Sequence, residues 1–171
     1  MKIYKILISL VCCCIAIFLS SSCERDDICA ENTQTTPMLI IKFIEDGTVS
    51  DIRQPNELQV QAIGFDSIIN FTTNQDSIMI PLRTNASLTD FVFTINSDVT
   101  EGDTAVPNAD TLSFQYTVVE DFLSSACGFI ANYNGLTSSS ASDDDDEWID
   151  NIIIEEENVI NETVAHVLIF H

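Results

Sequence analysis

The chain has 171 residues, 46% of them hydrophobic, and sets 27 acidic side chains against six basic ones for a formal charge of −21. A surface of that sign lacks the basic footprint that phosphate backbones demand, which argues against nucleic acid as a ligand. The length suffices for one hydrophobic core of ordinary size.

Residues 1–22 have the three-part layout of a secretory signal. Lys2 and Lys5 precede an apolar run from Ile6 to Leu19, and Ser20, Ser21 and Ser22 lead up to Cys23. The run is well short of the ~20 apolar residues that span a bilayer. The segment resembles a bacterial lipoprotein signal, with Ser20 at the position where that family prefers Leu. In that family the cysteine behind the small residues is lipidated on sulfur and becomes the first mature residue, here Cys23. The resemblance implies a signal peptide over 1–22, a lipidated tether over 23–36 and attachment to a membrane through the lipid. Each buried methylene contributes ~0.8 kcal/mol, and several acyl chains on one cysteine meet the need for at least two membrane-binding signals. The tetrad Glu24-Arg25-Asp26-Asp27 resembles the short acidic signal that directs flavobacterial lipoproteins to the outer cell face. A plain solvated tether has the same composition, so the cell surface and the periplasmic face of an outer membrane both stay open.

Removal of Lys2 and Lys5 with the signal leaves four basic residues against 27 acidic ones, about −23. That charge favours cations and basic partner surfaces. Of the six cysteines, Cys12, Cys13 and Cys14 leave with the signal and Cys23 is taken by lipid, so Cys29 and Cys127 remain. Two thiols in an oxidising compartment admit one pairing, a Cys29–Cys127 disulfide.

Behind the tether, apolar residues recur with a period of two. Leu112, Phe114, Tyr116 and Val118 alternate with Thr111, Ser113, Gln115 and Thr117, the pattern of a half-buried strand. Leu58, Val60 and Ala62 define a second such face, and Phe91, Phe93 and Ile95 a third. Further strands are expected at 38–44, 67–71, 76–82, 127–133, 148–154 and 163–170. Turn formers separate them: Asp46-Gly47, Pro55-Asn56, Gly64, Asn74, Asn85, Gly102 with Pro107, and Asn134-Gly135. Short strands without an amphipathic helix predict an all-β fold, an antiparallel immunoglobulin-like β-sandwich of about 7–9 strands, as one domain over 37–171. The stretch 136–147 (LTSSSASDDDDE) reads as an acidic low-complexity loop with little to bury.

The mature chain resembles an uncharacterised family of small flavobacterial (Bacteroidota-type) lipoproteins. The opening CERDDIC (23–29), TTPMLIIKF (35–43), SSACGF (124–129) and the ending AHVLIF (165–170) carry the likeness. It implies a lipoprotein and an all-β fold, and no activity.

Candidate chemistry is sparse. Asp143, Asp144, Asp145, Asp146 and Glu147 are the best ligand candidates, since Ca²⁺ takes six to eight oxygens. Consecutive aspartates without a bend-making glycine are equally the pattern of a solvated spacer. His166 and His171 fall in the last strand region on opposite faces, where they cannot easily meet at one metal. A surface or hydrogen-bonded role suits His166 better. Ser124-Ser125-Ala126-Cys127-Gly128 lacks the G-x-S-x-G elbow, and a strand there would hide a nucleophile. Trp148, Tyr116 and Tyr133 are aromatics able to stack on sugars. Asp66-Ser67-Ile68, Asp76-Ser77-Ile78, Asp103-Thr104-Ala105 and Asp110-Thr111-Leu112 resemble the Asp-Ser/Thr-apolar acceptor for O-glycosylation in exported proteins of these bacteria, which would modify Ser67, Ser77, Thr104 or Thr111. An aspartate closing a turn before a strand gives the same triplet.

These readings converge on a lipid-anchored envelope protein at the outer membrane, a noncatalytic binding or accessory subunit with an outer-membrane β-barrel or other envelope protein as partner. The alternative is a calcium-dependent or carbohydrate-binding surface module. No cofactor other than Ca²⁺ is implied, and no enzymatic activity is expected.

Overall fold

The computed structural model describes residues 3–4, 28–48, 51–71, 75–98, 105–140 and 146–171. Among them are nine strands: β1 (Leu39–Ile44), β2 (Leu58–Ala62), β3 (Ile68–Phe71), β4 (Ser77–Ile80), β5 (Leu88–Ile95), β6 (Asn108–Ser124), β7 (Gly128–Ser140), β8 (Asn151–Ile154) and β9 (Val167–Phe170). They form a four-stranded sheet ordered β4-β1-β9-β8 and a five-stranded sheet ordered β3-β2-β5-β6-β7. The two sheets pack face to face around one core, a β-sandwich.

The alternation seen in the sequence builds that core. Leu39, Ile41 and Phe43 of β1 face Leu112, Phe114 and Tyr116 of β6 and Phe91 and Phe93 of β5, all buried. The phenylalanine rings meet edge to face, Phe91 with Phe93 and with Phe114 at centroid distances of 6.2 Å. Such pairs contribute about 0.5–1.5 kcal/mol each beyond burial.

One pairing departs from the antiparallel expectation. β1 runs parallel to β9, from Ile41 opposite Val167 to Ile44 opposite Phe170, whereas the β1–β4 and β8–β9 ladders are antiparallel. A tight turn imposes antiparallel geometry only on consecutive strands. β1 and β9 are the first and last strands, so no turn fixes their relative direction.

The acidic low-complexity stretch is shorter than its composition suggests. β7 continues to Ser140, and Leu136 is buried in the core. The Asn134-Gly135 pair, expected to end the strand, bends it instead. Tyr133 and Val159 exchange backbone hydrogen bonds, and Leu136 N–H next donates to Glu157 O at 2.8 Å. Three steps along β7 therefore match two along the opposing segment, a bulge made possible by Gly135 at φ +66°.

Two compact units are distinguished, one of Gln34–Phe122 with Phe129–His171 and a small one of Met1–Thr33 with Leu123–Gly128. Within the small unit Cys29 and Cys127 are joined by the expected disulfide. Ser124 Oγ accepts the Cys127 N–H at 3.0 Å and the Thr33 hydroxyl lies 3.6 Å from Cys127 Sγ. Ser125–Cys127 is the turn between the end of β6 at Ser124 and the start of β7 at Gly128.

Closing a loop across a separation of 98 residues stabilises the folded chain by as much as ~4.7 kcal/mol in the chain-entropy model. Replacing both cysteines by alanine should lower the unfolding free energy by several kcal/mol at unchanged far-UV circular dichroism. Urea titration of the two forms, with a mass shift of two hydrogens on reduction of the parent, checks this.

Candidate binding surface

The ladder between β5 and β6 runs from Ile95 opposite Asn108 to Leu88 opposite Gln115, and Tyr116 N–H still reaches Ser87 O at 3.0 Å. Beyond that point the chain before β5 turns away at Thr84-Asn85, while β6 continues to Ser124. Thr117–Phe122 thus keeps β7 on one side and has no strand partner among the described residues on the other. In an antiparallel ladder both backbone groups of a residue point to the same neighbour, and alternate residues switch sides. Tyr116 points toward Ser87, so Val118, Glu120 and Phe122 turn their N–H and C=O groups to the open side.

A groove of about 600 Å³ lies along this edge, between Thr84–Ser87 on one wall and Thr117, Val118 and Glu120 on the other. Its wall is held by a ring of hydrogen bonds. Arg83 N–H donates to Thr89 Oγ1 at 3.1 Å, the Thr89 hydroxyl lies 2.5 Å from the Tyr116 hydroxyl, and Tyr116 O–H donates to Arg83 O at 2.9 Å. Tyr133 O–H fixes the adjacent Leu82 O at 3.1 Å. Burial raises the Tyr116 hydroxyl above its ordinary value and pushes Tyr133 up to about 12. Both phenols therefore remain donors at neutral pH. Farther along the edge, Phe122 and Phe129 are 60% and 65% exposed and their rings contact each other at 5.1 Å. Two large aromatics held together in water form an apolar handle.

A second, polar cavity of about 420 Å³ lies at the other end of the five-stranded sheet, lined by Glu57, Gln59, Asn70, Phe71, Ser97 and Asp98, with Leu58 beneath.

The sequence-predicted residues are distributed as follows. Cys23, Asp143, Asp144, Asp145 and Thr104 lie outside the described residues. Asp146 and Glu147 are exposed, and Asp146 O accepts Asn108 Nδ2 at 2.6 Å. No group of three or more His, Cys, Asp or Glu able to hold a metal occurs among the described residues. Ser67 is exposed ahead of β3, Ser77 opens β4 with its hydroxyl donating to Asp76 Oδ1 at 3.2 Å, and Thr111 is half-buried in β6 opposite Val92.

The aromatics read as sugar platforms are core residues: Tyr133 is fully buried, Tyr116 and Trp148 nearly so. Trp148 Nε1 donates to Phe93 O at 3.1 Å, and the N–H groups of Trp148 and Ile149 both donate to the buried Asp110 carboxylate at 3.0 and 2.8 Å. Asp110 thereby moors the chain returning from the acidic stretch to β6.

The histidines do not meet. His171 packs edge-on to Trp148 and Phe43. His166 is 1% exposed: its Nδ1 accepts the Ile40 N–H at 3.0 Å, and Nε2 lies 3.0 Å from Asn161 O, a carbonyl that can only accept. The ring is the neutral Nε2–H tautomer, since a proton on Nδ1 would face a second donor. Desolvation lowers its pKa from the ordinary value, against smaller raising effects from Asn161 O, Glu156 and Glu162. His171 is lowered for the same first cause.

The class that fold and surface define is an all-β sandwich with an open strand edge. Residues 57–171 match the family of unknown function DUF6452, and the chain belongs to that family. The match takes in β2 through β9, with β1 and Cys29 before it. No curated protein and no solved structure matches the chain.

The lowered His166 and His171 values set an acid limit on stability. A histidine whose folded pKa lies below its unfolded value of ~6.5 binds more protons when unfolded. Its contribution is complete above about pH 6.5 and is lost as pH falls through the folded value. Unfolding free energy should decline from pH 7 toward 5.5, with a shallower slope in His166→Gln. Denaturant titration at half-unit pH steps reads both slopes, and equal slopes would remove His166 from this role.

Proposed function

We propose that this chain is a lipid-anchored lipoprotein of the outer membrane in a Bacteroidota-type bacterium, working without catalysis by accepting an extended segment of a partner along the open edge of β6. The observation that carries the reading is Thr117–Phe122, a strand segment unpaired on one side among the described residues and flanked by a groove. Strand addition offers main-chain hydrogen bonds for affinity and alternate side-chain contacts for specificity. The Phe122–Phe129 pair supplies apolar contact, and Glu120 and Asp121 select the charge of the occupant.

A second copy of the chain is disfavoured, because antiparallel pairing of two such edges brings carboxylates together. The formal charge of −21 acts in the same direction. The partner is a basic or neutral extended segment of another envelope protein, and an outer-membrane β-barrel is the natural source of one. The anchor rests on the run ending at Cys23, which the acyl chains hold at either face of the membrane.

Full-length lipoprotein purified from its own membranes in mild detergent should bring down one envelope protein in near-equal amount, identified by mass spectrometry. Glu120→Pro removes an N–H that no strand within the described fold uses, so it should lose that companion at unchanged melting temperature. Recovery of the parent alone, or a companion retained by the proline variant, would sink the strand-addition reading.

A further inference from the structure

Two residues other than glycine have positive φ among the described residues, Glu57 at +47° and Asn96 at +52°. They sit across from each other. Asn96 N–H donates to Asn56 O at 2.9 Å, Ser97 N–H to Glu57 O at 3.2 Å, and Asn56 Nδ2 to Asn96 Oδ1 at 2.9 Å. Left-handed backbone at a non-glycine residue costs of order 1–3 kcal/mol, and such conformations cluster at ligand sites. Here they shape the rim of the 420 Å³ polar cavity, whose size falls in the ordinary range for small-molecule sites.

The lining has a definite chemistry. Gln59 and Asn70 are opposite one another in the β2–β3 ladder, and Gln59 Nε2 donates to Asn70 Oδ1 at 3.2 Å. That bond fixes both planar amides and leaves the Gln59 carbonyl as acceptor and the Asn70 amino group as donor toward the cavity. Ser97 Oγ donates to Glu57 O at 2.6 Å and keeps its lone pairs. The Glu57 and Asp98 carboxylates add acceptors, while Phe71, opposite Leu58 in the β2–β3 ladder, packs its ring against the core. Amides and carboxylates suit adjacent hydroxyl groups, each both donor and acceptor. The two carboxylates repel anions.

We infer that the cavity between Gln59, Asn70, Ser97 and Asp98 is a binding site for a neutral carbohydrate ring. The site is separate from the β6 edge and stands or falls without it. Its residues differ from Trp148, Tyr116 and Tyr133, which the core retains.

Calorimetric titration of the full-length chain in mild detergent with glucose, galactose, mannose, N-acetylglucosamine and glucuronate tests the site. At least one neutral sugar should saturate with a Kd on the order of 1 mM or tighter, and glucuronate should bind at least about tenfold more weakly. Asn70→Ala and Asp98→Ala should each weaken the neutral sugar about tenfold, equivalent to about 1.4 kcal/mol, with unchanged thermal melting and unchanged recovery of the β6 companion. Absence of saturable binding to all four neutral sugars would overturn the proposal. So would equal binding of glucuronate, or affinity unaltered in both variants.

Discussion

The sandwich depends on β9 entering between β1 and β8. Among the described residues, its four residues supply the only strand link in the four-stranded sheet between the β1–β4 pair and β8. Val167 and Ile169 lie fully buried, so this narrow strand also completes the core beneath it. A pairing between the first and last strands closes a long loop before any contact rewards it, and such topologies fold slowly. The Cys29–Cys127 bridge acts on the same entropy from outside the sheet. It shortens the loop that the unfolded chain must close.

Polar groups position that last strand, which apolar burial alone could not do. β9 is short enough that a slip of one residue would exchange its buried and half-buried faces at little loss of hydrogen bonds. His166, just before it, removes that freedom. Its backbone N–H donates to Ile40 O at 2.9 Å while its ring accepts the Ile40 N–H, so one residue engages both backbone groups of one partner. At the other end of the returning segment, the Asp110 carboxylate holds Trp148 and Ile149. Leaving a buried donor unsatisfied costs about 1–3 kcal/mol. Any register that breaks these bonds is therefore penalised more than a shift in apolar contact would be.

This division explains what the sequence discloses. All nine strands sit within or overlap segments whose apolar residues alternate or run together, because a sheet buried on one face can satisfy its core in no other way. Phe91-Val92-Phe93 and Leu112 to Tyr116 state their faces without ambiguity. The extensions of β6 and β7 are silent by comparison. Val119-Glu120-Asp121 shows no alternation because both faces there meet water, and Asn134-Gly135 reads as a terminator because a bulge and a turn use the same left-handed glycine. Trp148 misleads for a related reason: its burial depends on the Asp110 carboxylate 38 residues away, a distance over which periodicity carries no information. The polar cavity is hidden for the same cause, since Gln59, Asn70 and Asp98 come together only through the β2–β3 and β2–β5 ladders.

An open edge beside two exposed phenylalanines is a liability in any sandwich, and the placement of charge decides how it is used. Natural sheets protect such edges with charged side chains or proline, and lysine is the usual choice. Here the protecting residues are Glu120 and Asp121, and one of them is already engaged, since Asn132 Nδ2 donates to Asp121 Oδ2. Carboxylates deter other copies of a strongly acidic chain. They place no comparable barrier before a basic strand. On the strand-addition proposal, the same signs that disfavour self-pairing would leave the edge open to a basic or neutral strand, and discrimination by repulsion needs no pocket shaped for the partner's side chains.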